Sequence, residues 1–363
     1  MEELIQREAE VAIDGEVTVR AVAVAVARRA RNSQHDSHAS TTVAVLSPQT
    51  FVAAFERAAY TTAVTFKRRT ALIKLAHHLH RLESSYITLR RDLEERECID
   101  EQASPPPAAR ALCRAIEVAL SLLSKLESSQ SGVRHESEAL VVMCIPVRAA
   151  TTLDPQIHVW VRANQPVLPD LAPQRGPAHC ALTVELCVRQ RRLAHAKDSS
   201  WVRDRRDLEE QRDPRAMESI LCAQEHGDLF LLEGTVHNIF VLRADGSLQT
   251  AGDHILLGHV RALVLQAAEH LGITVVHSSP RFSERSSWAA AMLTNAVRVF
   301  EPVAHILVPS SALPGSLAAL EIDLDPDPPL AHRMRQRIAE ILHSDPTNDL
   351  SSTTALRAPP TAQ

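Results

Sequence analysis

The chain has 363 residues, 45% of them hydrophobic, which is enough for two or three domains with cores of their own. Only 3% are aromatic, so few rings are available to stack on bases, and 39 basic against 44 acidic side chains give a formal charge of −5. This balance gives no electrostatic reason to expect a nucleic acid or a membrane surface as a partner. A reaction that needs a primary amine has only four candidates, which are Lys67, Lys74, Lys125 and Lys197.

The N-terminal end and the cysteines indicate a compartment. Six cysteines without a C-x-x-C pair are typical of reduced thiols in the cytoplasm. The acidic start, Met1-Glu2-Glu3, differs from a secretory signal, and the longest apolar run falls far short of the roughly 18 residues of a membrane span. A cytoplasmic location is therefore expected, with an organelle as the alternative because residues 17–32 contain several arginines.

A flexible arm and two helices are predicted for the first part of the chain. Residues 1–42 end in the polar run 33–40, which indicates a loose arm. Between Ala71 and Leu89 apolar residues recur at the i, i+3, i+4, i+7 spacing of a helix with one buried face. The proline run 105–107 then provides a helix start, and the same spacing continues to Ser128.

A strand pattern begins near Ala139. Short runs rich in β-branched residues are separated by Pro, Asp and Gly, namely ALVVMCIPV, IHVWVR, ALTVELCV, LFLLEG, NIFVLR and ITVVHS. A helix from His259 to Leu271 interrupts them and stops at Gly272. Beyond it we expect a helix over 331–342 and then a Ser/Thr/Pro-rich tail without ordered structure.

Six of the ten glycines fall between positions 227 and 272. Glycine is needed where φ is positive or where backbone must approach closely. Asp245-Gly246 indicates a hairpin turn between two strands. Gly258 comes directly before a helix, and a helix N terminus can bind an anion such as a phosphate. On this feature alone, a simple helix start is the better explanation of Gly258.

Five segments in register resemble one known family. RAAYTTAVTF with HHLHRLESSYITL comes first, AHAKDSSWVRDR carries Lys197, LLEGTVHNIFVL carries Glu233, and ILLGHVRALVL and AMLTNAVRVFEPV follow. From about residue 45 to 310 the chain is similar to the class IV aminotransferases, pyridoxal-phosphate enzymes of fold type IV. That family includes branched-chain and D-amino-acid aminotransferases and 4-amino-4-deoxychorismate lyase. The KDSSWVRDR form most resembles the D-amino-acid aminotransferase-like proteins of plants and algae.

The resemblance implies an α+β fold and a division of the chain. The flexible arm over 1–42 would precede a small α/β domain over 43–150. A larger β-rich pseudo-barrel domain over 151–310 would bind the cofactor, and 311–363 would hold a C-terminal helix and a disordered tail. The family also implies a homodimer that acts on an amino acid and a 2-oxo acid.

Three residues would carry the main roles that the resemblance implies. Lys197 would form a Schiff base with pyridoxal phosphate and move the substrate α-proton. Glu233 would face the pyridine nitrogen, where a carboxylate keeps the ring protonated. Arg81 would bind the phosphate, because a guanidinium matches phosphate oxygens with paired donors.

The remaining roles concern the phosphate and the substrate. The backbone N–H groups of Gly258, His259 and Val260 would bind the phosphate, with Thr294 and Asn295 closing that site. Tyr60 and Trp201 are candidates for the substrate side.

The chain departs from the family pattern at a few positions. Val64 stands where close relatives often have arginine, and Thr235-Val236-His237 replaces the small or hydroxyl residues usual after Glu-Gly. The family places both positions toward the substrate, so no substrate and no D or L preference is transferred.

The leading functional hypothesis is an aminotransferase. A lyase that eliminates pyruvate from aminodeoxychorismate, in folate synthesis, uses the same cofactor and lysine and remains an alternative. A non-catalytic relative with a binding or structural role is a third possibility. No metal is expected, because zinc needs three or four protein ligands and no cysteine or carboxylate is spaced to join His77, His78 and His80.

Overall fold

The computed structural model describes residues 2–13, 17–28, 47–97, 106–129, 138–147, 156–164, 182–313 and 318–350. These residues form two compact units. Unit 1 takes its residues from Met1–Pro166, Ala196–Arg203 and Pro346–Thr361. Unit 2 takes them from Val167–His195, Asp204–Asp345 and Ala362–Gln363.

Unit 1 is a six-stranded sheet with helices. The strands are β1 (Glu2–Ile13), β2 (Val17–Arg28), β3 (Ala58–Phe66), β4 (Ala71–Leu72), β5 (Glu138–Pro146) and β6 (Gln156–Asn164). The helices are α1 (Pro48–Ala53), α2 (Leu75–Glu97) and α3 (Ala109–Ser128). The sheet order is β1-β2-β6-β5-β3-β4, and only β2 and β6 run parallel.

Helix α3 shows how the sequence builds this unit. Its apolar residues recur on one face, where Ile116 and Leu123 are completely buried, and the helix packs against β2 and β6. Each such side chain contributes about 1.5–3 kcal/mol by leaving water. The helix ends at Ser128, as the sequence pattern predicts.

Three expectations for this part of the chain differ from the structure. Residues 17–28 of the expected arm are a strand in which Val19, Ala21 and Ala23 alternate inward and are buried, and residues 2–13 pair with it as a second strand. Ala71 and Leu72 belong to a short strand paired with β3, and the helix begins only at Leu75, after Lys74 with φ of 53°. The sheet continues past the expected boundary at residue 150, since β6 pairs with β5.

Unit 2 is built around a second, larger sheet. Its strands are β7 (Leu182–Val188), β8 (Glu218–Glu225), β9 (Asp228–Gly234), β10 (Asn238–Arg243), β11 (Leu248–Thr250), β12 (Val275–His277), β13 (Trp288–Thr294), β14 (Glu301–Val308) and β15 (Leu320–Asp323). The order is β12-β11-β10-β13-β14-β7-β8-β9, with β15 beside β14 and a further pairing of β10 with β9. Apolar residues from most of these strands, such as Leu231, Ile239 and Ile306, form its core.

Four further α-helices lie in the described chain. They are α4 (Trp201–Asp204), α5 (Arg206–Gln211), α6 (His259–His270) and α7 (Pro329–Ser344). Helix α4 lies where the chain passes from unit 1 to unit 2, and α6 packs against α7. Both α6 and α7 lie where the sequence predicts helices, whereas the expected disordered tail from residue 351 onward lies outside the described residues. No helix in the described ranges is both long enough and apolar enough to cross a membrane.

Gly272 ends α6 in a left-handed conformation with φ of 67°. A Cβ added there would meet nothing within 4 Å, so a substitution costs backbone strain alone. We expect Gly272→Ala to lower the free energy of unfolding by about 1 kcal/mol in urea denaturation. Gly272→Asn should cost less, because asparagine tolerates this conformation. Equal losses in both variants would contradict the explanation.

Candidate active site

The backbone around Lys197 is fixed within unit 1. The Lys197 N–H donates to Ser85 Oγ at 3.0 Å, and its carbonyl accepts from the Tyr60 N–H at 3.0 Å. Next to it, Asp198 forms a β-bridge with Ala59. A segment more than a hundred residues away in sequence is thereby attached to the edge of β3.

The side chain of Lys197 lies over an aromatic ring. Its Nζ is 4.7 Å from the centroid of Tyr60, within the range of a cation–π contact. Lys197 is half-buried and Tyr60 is buried. Trp201 is also buried, at the start of α4, where its N–H donates to the Asp198 carbonyl at 3.2 Å.

Arg81 is buried on the same helix as Ser85, one turn earlier. Its Nη2 donates to Thr61 Oγ1 at 2.5 Å and lies 3.2 Å from His78 Nδ1. Thr61 Oγ1 also lies 2.6 Å from that nitrogen. Since a guanidinium only donates, the threonine hydroxyl accepts from Arg81 and donates to His78.

Neither of these two partners of Arg81 is a carboxylate, so neither neutralises the charge of its guanidinium. Burial lowers the pKa of its guanidinium to about 10, with the nearby Tyr60 acting weakly in the opposite direction. Its buried Nε has no hydrogen-bond partner among the described residues. The arginine is therefore able to bind an anion at little further desolvation cost.

Glu233 provides the buried carboxylate of unit 2. It lies at the end of β9 and is 3% exposed. Oε1 accepts from Arg191 Nη1 at 3.0 Å, and Oε2 accepts from the Leu256 N–H at 2.9 Å. Two donors of different kinds thus fix the orientation of this carboxylate.

Asn238 connects Glu233 to the N terminus of α6. It pairs with Glu233 between β9 and β10, and its Nδ2 donates to the Leu256 carbonyl at 2.8 Å. A Cβ on Gly258 would overlap Asn238 Oδ1, so glycine is required by close approach. Across the sheet, Asn238 pairs with Thr294 of β13.

Donors suited to an anion lie in this part of unit 2. Gly258 is the N-cap of α6, and no described side chain caps the helix. The backbone N–H groups at the start of a helix, here those of His259 and Val260, are donors that suit an anion. Thr294 Oγ1 is buried and has no hydrogen-bond partner among the described residues.

The turn after Glu233 is held by a second buried carboxylate, Glu218. Its Oε1 accepts from the Thr235 N–H and Oγ1 at 3.1 and 2.5 Å, and its Oε2 accepts from the Val236 N–H at 3.2 Å and contacts His237 Nδ1 at 2.5 Å. Burial alone would raise the pKa of Glu218, but the hydrogen bonds from His237, Thr235 and Val236 hold it below its ordinary value.

The structure groups the predicted site residues within each unit. Unit 1 brings Lys197, Arg81 and Tyr60 close to one stretch of β3 and α2, with Trp201 four residues after the lysine. Unit 2 joins its own set through Asn238 and the turn 235–237. That set consists of Glu233, Gly258, His259, Val260, Thr294 and Asn295.

Three residues that hold these side chains have no role in the sequence-based prediction. Asn238 had a visible signal, since it follows Glu233-Gly234 at a short, fixed spacing. Glu218 and Arg191 had none, because Glu218 reaches the turn after Glu233 through the pairing of β8 with β9 and Arg191 follows the end of β7, and no local pattern encodes either contact.

Comparison with known proteins identifies the family. Residues 58–306 match the family model described as Amino-transferase class IV. This match covers more than half of the chain, which therefore belongs to the class IV aminotransferase family, as the motifs predict. A comparison with curated protein sequences finds no match.

Solved structures of aminotransferases share the fold. A hypothetical aminotransferase from Mycobacterium tuberculosis in its PLP-bound form is 17% identical, with 79% of this chain and 89% of that chain covered and a TM-score of 0.55. A branched-chain aminotransferase from the archaeon Thermoproteus uzoniensis is 17% identical, with 83% and 90% covered and a TM-score of 0.52. A fold IV-transaminase from Curtobacterium pusillum is 20% identical, with 78% and 86% covered and a TM-score of 0.52. The predicted type IV fold is confirmed.

Glu218 makes the stability of the protein dependent on pH. Its pKa is lowered in the folded state, so its stabilisation is present above its ordinary value of 4.5 and is lost as the pH falls through the folded-state value. We expect Glu218→Gln to lower the free energy of unfolding by about 2–4 kcal/mol at neutral pH. Urea denaturation from neutral pH down to about pH 3 should show this difference shrinking.

Glu225 provides the matched control, because it lies exposed at the other end of the same strand. Glu225→Gln should change the stability little. A loss in Glu218→Gln that stays constant over the whole pH range would contradict the ionised state of Glu218.

Proposed function

We propose that this protein is a pyridoxal-phosphate-dependent aminotransferase that moves an amino group from an amino acid to a 2-oxo acid. The observation that carries the proposal is the arrangement in unit 2, where Asn238 and Leu256 tie the Glu233 carboxylate to the N terminus of α6. A carboxylate suits a protonated ring nitrogen, and a helix N terminus suits a phosphate. Pyridoxal phosphate has both groups.

The residues present fit this cofactor, which is the one used by the class IV aminotransferase family. Thr294 Oγ1 is a buried hydroxyl without a partner among the described residues, and Gly258 lets the backbone at the start of α6 lie close to Asn238. We assign phosphate binding to the N–H groups of Gly258, His259 and Val260, with Thr294 and Asn295 beside them. Arg81 is assigned separately as a residue that binds an anion, since its buried guanidinium lacks a carboxylate in its described contacts.

Lys197 is assigned as the residue that bonds the cofactor and moves the proton. When bound, pyridoxal phosphate supplies an electron sink for the bond that breaks at the substrate α-carbon. Lys197 Nζ would bind the cofactor aldehyde and, once released, take the α-proton and return it. The contacts of its backbone to Ser85 and Tyr60 hold the lysine in place for both steps.

Glu233 is assigned as the partner of the ring nitrogen. Its bonds from Arg191 and from the Leu256 N–H fix the carboxylate. A fixed negative charge favours the protonated form of a ring nitrogen beside it. Tyr60, whose ring lies under Lys197 Nζ, is the aromatic neighbour of the reacting amine.

The similar structures support the substrate classes at a coarse level. The Mycobacterium tuberculosis aminotransferase is also described in a form with α-ketoglutarate and PMP bound, and the Thermoproteus uzoniensis enzyme is described with norvaline. These are a 2-oxo acid, the amine form of the cofactor and an amino acid, as transamination requires. We therefore propose an amino acid donor and a 2-oxo acid acceptor.

The first test is spectroscopic. Purified protein supplied with pyridoxal phosphate should show an absorbance band that borohydride reduction abolishes, because the amine of Lys197 bonds the cofactor. Lys197→Ala should lack this band, whereas Lys125→Ala, an exposed lysine of α3, should keep it. A protein that stays colourless after addition of pyridoxal phosphate would overturn the proposed function.

The second test concerns Glu233. We expect Glu233→Gln to slow the exchange of an amino group between an amino acid and a 2-oxo acid by about 100-fold or more, since the neutral amide cannot stabilise the protonated ring. Cofactor affinity and circular dichroism should show that the variant still folds. Full activity in Glu233→Gln would refute the assignment, and Glu225→Gln should behave like the wild type. Release of pyruvate without formation of a new amino acid would indicate a lyase instead.

A further inference from the structure

His237 has both ring nitrogens engaged although it lies in a turn. The turn 235–237 joins β9 to β10, and His237 is buried. Nδ1 contacts Glu218 Oε2 at 2.5 Å, and Nε2 contacts Asn295 Nδ2 at 2.7 Å. The imidazole thus connects β8 to the turn that follows β13.

The hydrogen bonds of Asn295 determine where the proton of His237 lies. Asn295 Oδ1 lies 2.8 Å from the N–H groups of Val297 and Arg298. Backbone N–H groups only donate, so this atom must be the oxygen and the amide NH2 must face His237. The NH2 donates, and Nε2 must therefore accept.

His237 is accordingly neutral, with its proton on Nδ1. That proton is donated to Glu218, whose carboxylate accepts it at Oε2. The group formed by Glu218, His237 and Asn295, which we name the imidazole bridge, carries a single negative charge. Its direction of donation runs from Asn295 through His237 to Glu218.

The imidazole bridge joins two turns that follow proposed site residues. The turn 235–237 comes directly after Glu233 and Gly234, and the turn 295–298 comes directly after Thr294. The second turn is closed by the Asn295 N–H, which donates to the Arg298 carbonyl at 2.7 Å. The imidazole belongs to the turn 235–237 and accepts a hydrogen bond from the turn 295–298. It therefore restricts the motion of the two turns relative to each other.

We infer that His237 is a positioning residue, which fixes Asn295 and the end of β13 relative to the turn after Glu233 and so sets the affinity for the cofactor phosphate. The inference rests on the proposed function for its meaning in catalysis. His237 itself is not assigned any contact with the cofactor. The orientation of Asn295 depends on Nε2 being an acceptor.

Two variants separate the two ends of the imidazole bridge. In His237→Asn the side-chain amide can still donate to Glu218 from the position of Nδ1 but is too short to reach Asn295. In His237→Gln the longer amide can present its oxygen to Asn295, while the donor to Glu218 is lost. His226→Asn, at an exposed turn position with φ of 50°, is the control.

Amide hydrogen exchange of the full chain, before pyridoxal phosphate is added, is the first measurement. His237→Asn should speed exchange at Val297 and Arg298 and leave Thr235 and Val236 protected. His237→Gln should do the opposite. Nitrogen NMR of histidine-labelled wild-type protein, with the signal assigned by its loss in His237→Asn, should show Nδ1 protonated and Nε2 unprotonated.

Cofactor binding is the second measurement. Titration with pyridoxal phosphate should show about tenfold weaker binding in His237→Asn. Binding in His237→Gln should stay within about twofold of the wild type even though this variant is the less stable in urea. If the role of His237 were purely structural, the less stable variant would also bind pyridoxal phosphate more weakly. Weaker binding in the more stable variant, His237→Asn, therefore distinguishes positioning from folding.

Each other outcome contradicts a definite part of the inference. Unchanged exchange in both variants, or a proton on Nε2, would overturn the imidazole bridge. If exchange changes in opposite ways in the two variants, as expected, but the cofactor affinity of His237→Asn is unchanged, the positioning role is overturned. Wild-type protein that does not bind pyridoxal phosphate would overturn both the proposed function and the positioning role, while the exchange data would still decide whether His237 joins the turns.

Discussion

The buried carboxylate of Glu218 requires donors, and the turn after Glu233 supplies them. Thr235, Val236 and His237 all contact it, and Gly234 leaves the space its side chain occupies, since a Cβ there would lie 3.0 Å from Glu218. A buried charge without such donors would be expensive. The contacts to this one charge fix the conformation of the turn. They thereby also fix the direction in which β10 starts at Asn238.

The buried and half-buried arginines differ in the groups that they contact. Several of them bind a carboxylate of the chain, as seen at Arg57, Arg69, Arg90, Arg191 and Arg205. Arg81 contacts instead a threonine and a histidine. Its contacts leave a net positive charge in a buried position, and an anionic ligand would stabilise the folded state by binding there.

Local patterns predict much of the fold. The spacing of apolar residues predicts α3 and α6, and the runs of β-branched residues predict β5, β6, β7, β9, β10 and β12, because one buried face leaves its period in the sequence. The same reasoning fails at Ala71 and Leu72, where burial comes from pairing with β3 and imitates a helical period. It also misses β1, which has acidic and basic residues at exposed positions, and β2, in which valines and alanines alternate.

The candidate site was predictable only where residue type restricts the chemistry. Lys197 stands out because lysine is scarce, and Gly258 because glycine is. Glu218 and Arg191 are ordinary charged residues in the sequence. The register of β8 and β9 brings Glu218 to its partners, and the end of β7 places Arg191 beside Glu233. The histidine at 237 is visible in the sequence as a departure from the family pattern. Which of its ring nitrogens carries the proton can be derived only from the hydrogen bonds of Asn295 in the structure.

The attachment of the Lys197 segment to β3 limits how that lysine can move. Its N–H, its carbonyl and the neighbouring Ser199 N–H are all bonded to groups of α2 or β3. The backbone therefore has no freedom to shift without breaking several hydrogen bonds at once. Any excursion of the amine must come from rotation about its own side-chain bonds, so the reach of Nζ is limited to a sphere centred on a fixed Cα.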